Sequence, residues 1–84
     1  MIPILMPQVG HDIPAGVVTE WMKAENDPVK AGEIIVYVES EKAVFSVEAE
    51  ASGVLLKIVH QAGDEVPILT PIGYIGEPGE SVEL

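Results

Sequence analysis

The stretch Gly16-Val17-Val18-Thr19-Glu20-Trp21 returns 37 positions later as Gly53-Val54-Leu55-Leu56-Lys57-Ile58. The likeness runs on without gaps: Asp27 falls on Asp64, Val29 on Val66, Ile35 on Ile72, Tyr37 on Tyr74 and Val38 on Ile75. Six identities lie between residues 16 and 39, and the apolar positions track as well. Val17-Val18-Thr19 argues against a helix, because β-branched side chains lose rotamer freedom there and suit a pleated surface. Two β-units of this length, each too small to bury its own apolar face, do so by packing on each other. The repeat therefore predicts an all-β domain: a flattened barrel or sandwich of two antiparallel sheets with quasi-two-fold symmetry.

Outward from the repeat, 8 Gly and 7 Pro punctuate short segments rich in β-branched residues, the pattern of strands and turns. Strands are expected at Ile2 to Met6, Val17 to Met22, Glu33 to Val38, Ala43 to Glu48, Gly53 to Val59 and Ile72 to Ile75, with shorter pieces near Ile13 and Val66. Phe45, Val47 and Ala49 alternate with Ser46, Glu48 and Glu50, which reads as a half-buried strand. Trp21, Val29, Ile35, Phe45, Val47, Leu55 and Ile72 are assigned to packing.

The two copies differ after residue 38. The first runs on through Val38-Glu39-Ser40-Glu41-Lys42-Ala43-Val44 into another strand, while the second reaches Ile75-Gly76-Glu77-Pro78-Gly79-Glu80-Ser81. The first becomes a hairpin with Lys42 at its tip; the second becomes a tail at the opposite end of the sandwich. The domain is accordingly expected to occupy residues 1–77, with 78–84 the start of an interdomain linker or tail.

Composition excludes several functions. Four Lys, no Arg and 14 acidic residues give a net charge of -10, which repels phosphate backbones and rules against nucleic acid. No apolar run approaches the roughly 18 residues of a membrane span, so no membrane partner is expected and the chain reads as cytoplasmic. The absence of Cys removes thiolate metal sites and thiol nucleophiles. His11 and His60 fall in or near expected turns, and nothing supplies a nucleophile with a base to orient it. Glu48 and Glu50 read as a wet strand face rather than a metal site. Gly-rich phosphate-binding patterns are absent. The chain is not expected to be an enzyme.

Lys42 stands apart, because lysine is scarce here and a primary amine on a four-carbon stem at an exposed turn is open to acylation. Glu41-Lys42 lacks the Asn-Gly or Asp-Gly of a mirror-image hairpin turn, whereas a type I turn tolerates both residues.

Val38-Glu39-Ser40-Glu41-Lys42-Ala43, with Gly53-Val54-Leu55 eleven residues past the lysine, resembles the lipoyl-attachment motif of lipoyl domains in 2-oxo acid dehydrogenase complexes. The likeness covers nearly the whole chain: Met6-Pro7, Gly16, Trp21, Asp27-Pro28-Val29-Lys30-Ala31-Gly32-Glu33, Gly63-Asp64-Glu65-Val66 and Pro71-Ile72 fall where that family has similar residues. Glu41 replaces the usual Asp, and Asn26-Asp27 stands where Gly-Asp is common. The related biotinyl carriers, the alternative reading, place Met on both sides of the lysine; here the flanks are Glu41 and Ala43. An unmodified structural copy, as in some membrane-fusion adaptors, and the longer glycine-cleavage carrier are further alternatives.

The resemblance implies that lipoate is attached to Lys42 by a lipoate ligase or transferase, with Glu41 and Ala43 as hairpin flanks. It further implies a carrier role in an acyltransferase chain, the arm visiting a thiamin-diphosphate 2-oxo acid decarboxylase, the acyltransferase core and a dihydrolipoyl dehydrogenase. In that family the loop after the first strand helps the decarboxylase choose its carrier. Here the loop is Gln8 to Ala15, and Gln8, Val9, Gly10, His11 and Asp12, together with Glu39 and Glu41, are the expected recognition patch. Localisation would be cytoplasmic, or the mitochondrial matrix in a eukaryote.

Overall fold

A computed structural model describes residues 1–41 and 43–80; Lys42 and residues 81–84 lie outside the described residues. Eight strands follow in order: β1 (Ile2–Leu5), β2 (Ala15–Trp21), β3 (Pro28–Val29), β4 (Ile34–Glu39), β5 (Val44–Glu48), β6 (Gly53–Ile58), β7 (Glu65–Pro67) and β8 (Pro71–Gly76). They form two four-stranded sheets, one in the order β1-β8-β6-β3 and one in the order β5-β4-β2-β7. We call these the terminal sheet and the hairpin sheet. Every pairing is antiparallel, so the expected two-sheet all-β architecture is the observed one. Each sheet takes two strands from each copy of the repeat, so neither copy owns a sheet.

The quasi-two-fold extends to backbone detail. Val17 pairs with Glu39 and Val18 with Val38; 37 residues on, Val54 pairs with Gly76 and Leu55 with Ile75. The ladder shifts register between Val18 and Glu20, and again between Leu55 and Lys57. Val18 N–H donates to the Asp64 carbonyl at 2.9 Å, and Leu55 N–H to the Asp27 carbonyl at 2.9 Å. The turns match because their chemistry does: Asp27 Oδ2 accepts the Ala24 N–H at 2.9 Å and Asp64 Oδ2 the Gln61 N–H at 3.1 Å, the side chain standing in for a backbone acceptor.

β1 and β5 also correspond, but at an offset of 43: Leu5 pairs with Pro71 as Glu48 pairs with Ile34, and Ile4 with Gly73 as Val47 with Val36. The chain from Leu5 to Gly16 therefore holds six more residues than the equivalent stretch from Glu48 to Gly53, the difference between the offsets of 43 and 37. The surplus falls in the Gln8–Ala15 segment and lies at one end of the sandwich only.

The core between the sheets is apolar throughout. Met6, Val18, Ile35, Val38, Leu55, Val66 and Ile72 are fully buried, and no described polar side chain is buried. Of the residues assigned to packing, Val29, Ile35, Leu55 and Ile72 are buried, and Trp21, Phe45 and Val47 pack partly buried against the core. Burying one large aliphatic side chain is worth roughly 1.5–3 kcal/mol, so this layer holds the sheets together. Trp21 is the one indole; its Nε1–H donates to the His60 carbonyl at 2.8 Å, which satisfies the polar atom of an otherwise apolar ring.

Two expectations need correction. The segment near Ile13 is not a strand: Ile13 packs locally, its Cδ1 standing 2.5 Å from where a Cβ on Gly10 would be. The two-residue strand β3 was not expected, although it pairs with β6 as β7 pairs with β2. Residues 77–80, which overlap the expected linker, form a turn in which Glu80 N–H donates to the Glu77 carbonyl at 3.0 Å and Glu80 Oε1 accepts the Glu77 N–H at 3.0 Å. The Met1 amine lies 3.2 Å from Glu80 Oε2. The Glu77 amide and then the terminal amine hold the Glu80 carboxyl below its ordinary pKa.

Candidate functional site: the hairpin end

The hairpin between β4 and β5 closes tightly. Glu39 pairs with Val44, and Ser40 N–H donates to the Ala43 carbonyl at 2.9 Å. Positive φ outside glycine occurs, among the described residues, at Asp12, Asn26 and Leu69. Glu41 thus does not take the left-handed conformation that both mirror-image hairpin turns demand of their first central residue, in keeping with the expected type I turn. Glu41 and Ala43 are exposed, Glu39 and Ser40 half-buried, and Val44 is 62% exposed. The predicted attachment residue, Lys42, lies outside the described residues, but an open frame of small and acidic neighbours on either side leaves room for a covalent arm.

The long β1–β2 loop stands beside this hairpin. Its root is Val9, 2% exposed, so Val9 supports the loop from beneath rather than presenting a surface. Gly16 permits the approach: a Cβ there would stand 2.9 Å from Met6 Sδ, 3.3 Å from Val9 Cγ1 and 3.4 Å from the Glu39 carbonyl oxygen. At the crown, Asp12 adopts φ 62°, a conformation that Asp tolerates better than most residues. His11 and Asp12 are 95% and 89% exposed, with Nε2 and Oδ2 3.7 Å apart.

Between loop and hairpin lies an open groove of about 510 Å³, bordered by Asp12, Ile13, Pro14, Glu39, Glu41 and Glu65 among others. The structure thus brings Asp12, Glu39 and Glu41 together; Gln8 and His11 are exposed and Gly10 half-buried, and none of the three borders the groove. Ile13 and Pro14 belong to the expected Gln8 to Ala15 loop, whereas Glu65 was missed. The repeat could have placed Glu65, since it is the counterpart of Pro28 and joins β2 through Val17. No cluster of three metal-ligating side chains occurs among the described residues. His60 Nδ1 meets Asp64 Oδ2 at 3.3 Å, outside the groove. The groove offers carboxylates and apolar walls.

A two-sheet frame with a tight, open hairpin beside an acidic groove is the arrangement of a carrier domain, the class to which the comparisons assign this chain. The family described as "Biotin-requiring enzyme", the biotin/lipoyl family, matches residues 2–75. The chain belongs to this biotin/lipoyl family, on its lipoyl branch. It is 40% identical over 82 residues to the dihydrolipoyllysine-residue acetyltransferase component of the acetoin cleaving system of Bacillus subtilis, covering 98% of this chain and 21% of that protein. Against the pyruvate dehydrogenase E1 component subunit beta of Rhizobium meliloti it is 36% identical over 81 residues, covering 95% of this chain and 18% of that protein. The solution structure of the lipoyl domain of the 2-oxoglutarate dehydrogenase complex from Azotobacter vinelandii superposes with a TM-score of 0.77 at 38% identity, covering 94% of this chain and 100% of that one. The chain spans about a fifth of the length of the curated relatives it matches.

Proposed function

We propose that Lys42 carries lipoate in amide linkage and that the domain is the acyl carrier of a 2-oxo acid dehydrogenase complex, borne by an acyltransferase chain. The observation that carries this reading is the end-to-end likeness to a solved lipoyl domain, combined with Glu39-Ser40-Glu41-Lys42-Ala43 at the head of the hairpin. Lipoate, when attached, supplies a dithiolane on a long arm that takes up and releases acyl groups.

The chain's own residues then have defined tasks. The Ser40–Ala43 hydrogen bond keeps the hairpin closed, so the arm starts from a fixed point. The exposed flanks Glu41 and Ala43 give partner enzymes access to it. Holding an acyl group on one molecule raises its effective concentration at each active site within reach. Those sites belong to a thiamin-diphosphate decarboxylase, the acyltransferase core and a dihydrolipoyl dehydrogenase, after a lipoate ligase has loaded the lysine. Gln8, Gly10, His11 and Asp12 on the loop, with Glu39 and Glu41 across the groove, form the patch by which the decarboxylase selects its carrier. The setting is the cytoplasm, or the matrix of a mitochondrion.

Incubation with a lipoate ligase, lipoate and ATP, followed by peptide mass mapping, tests this. The adduct is expected on Lys42 alone, and Lys42→Gln abolishes it while the circular dichroism spectrum and urea midpoint stay unchanged. Uptake of the label at Lys23, Lys30 or Lys57 would overturn the assignment.

A further inference from the structure

The quasi-two-fold allows a comparison that a sequence without internal symmetry would not. Wherever the fold alone sets a residue, its counterpart 37 or 43 positions away faces the same requirement. Side chains on the outer face of the hairpin sheet depart from this rule in one direction. Glu20, Glu39, Glu48 and Glu65 point away from the core, each lying beside or across from outward residues such as Tyr37, Val44, Ile34 and Val17. Their counterparts on the terminal sheet are Lys57, Gly76, Leu5 and Pro28. At these four strand positions one face carries carboxylates and the other none, although the backbone is the same; the acids that do reach the terminal sheet come from turns and are paired, Glu80 with the Met1 amine and Glu25 with the Ile58 N–H and Lys57. The described lysines lie elsewhere: Lys23 pairs with Glu33 and Lys57 approaches Glu25, and Lys30 sits in the turn after β3.

We infer that the outer face of the hairpin sheet is the docking surface for the modifying enzyme, which presents a basic surface to it. This rests on the reading of Lys42 as the attachment residue. Area supports it: a specific partner covers roughly 800 Å² of each protein, about a sixth of the 5027 Å² exposed here, and a two-residue hairpin tip cannot supply that. The first row behind the tip is Val44, Glu39, Val17 and Glu65, side by side across four strands. An enzyme reaching for the tip must rest on this row. Alternating valines and glutamates offer it apolar contact between charges, and the charges steer a basic partner to this sheet rather than the other.

The test compares two double variants of equal charge change as substrates of a lipoate ligase with lipoate and ATP, adduct formation being followed by intact mass. Glu20→Lys with Glu65→Lys alters the proposed face at exposed strand positions, Glu65 being where that face borders the groove; Glu50→Lys with Glu77→Lys alters exposed positions elsewhere. Circular dichroism and urea midpoints establish that both fold. The first pair is expected to raise KM roughly tenfold at low salt with kcat unchanged, the difference shrinking as salt screens it; the second stays within about twofold of the parent. Equal KM for the two pairs overturns the docking face while the carrier reading stands. Absence of any adduct on the parent domain removes the carrier reading, and this proposal with it.

Discussion

Trp21 and Gly73 meet across the two sheets: a Cβ at residue 73 would stand 2.9 Å from Cη2 of the indole and 2.9 Å from the Lys57 carbonyl oxygen. Their counterparts under the quasi-two-fold are Ile58 and Val36. One half of the core uses two medium side chains where the other uses one large ring and none. Gly73→Val is expected to destabilise by about 2–3 kcal/mol, since overpacking forces backbone and side chain to shift. Adding Trp21→Ile, which copies the Ile58–Val36 pair, should recover about 1 kcal/mol or more relative to the sum of the single changes. Urea unfolding of the four proteins measures this coupling, and strict additivity would show that the two residues do not share one space.

Leu69 invites a second comparison. It adopts φ 65° where its counterpart Gly32 adopts 88°, and it is 65% exposed. A left-handed conformation costs a non-glycine residue roughly 1–2 kcal/mol, partly offset because glycine loses more freedom on folding. Leu69→Gly should therefore stabilise by about 0.5–1 kcal/mol. Gly32→Ala should cost about 1 kcal/mol through the backbone alone, because nothing stands within 4 Å of its Cβ position. A chemical denaturation series reads both, and a loss of stability in Leu69→Gly would contradict the argument.

Acid should reveal the Lys23–Glu33 pair. Lys23 Nζ lies 3.0 Å from Glu33 Oε2 and the Lys30 N–H donates to Oε1 at 3.0 Å. The Lys23 hydrogen bond, then the Lys30 amide, hold the carboxyl below its ordinary value of 4.5. A folded pKa below the unfolded one means the stabilisation is present above the unfolded value and disappears as pH falls through the folded one. Exposure to solvent keeps it small. Glu33→Gln is expected to lower the melting temperature by about 1–2 °C at neutral pH, with the gap closing as pH drops below 4.5. A gap that persists in acid would mean the charge is not its source.

The loop crown separates stability from recognition. His11 and Asp12 are almost fully exposed, so His11→Ala with Asp12→Asn, a residue that suits the left-handed backbone at position 12, should leave the unfolding free energy within about 0.5 kcal/mol of the parent. Reductive acylation by a cognate decarboxylase should nevertheless fall several-fold, while lipoylation by a ligase continues. Unchanged acylation would remove the crown from the recognition patch.

Much of this was readable from residues alone. The repeat carries the pairing registers as well as the strands, because Val17-Val18 and Val54-Leu55 obey the same pleat and the same turns. β3 escaped notice because two residues opening on Pro28 hold no period; pairing Val29 with Val66 was the available signal. Ile13 misled in the opposite sense, an apolar residue that closes over Gly10 and against the core instead of joining a sheet. The surplus length of the β1–β2 loop stayed hidden because an ungapped shift of 37 aligns nothing before residue 16. The Trp21–Gly73 exchange needs coordinates, since neither residue announces its opposite number. The groove residue Glu65 falls between these cases: its strand was anticipated, its neighbours across the sheet were not.

The meeting of Met1 with Glu80 bears on where the lysine sits. β8 and β1 abut there as β4 and β5 abut at residues 40–43, but in the second place the chain is continuous. Severing it at that point would leave two interlocked fragments of matching topology, each threaded through both layers of the other. The proposed attachment position therefore falls in the seam that stitches two equivalent lobes into one polypeptide, and at its sister junction the Met1–Glu80 ion pair closes the end of the β1–β8 ladder. On the proposed reading, chemistry sits at the join, where a bend contributes least to the interior and so is freest to change.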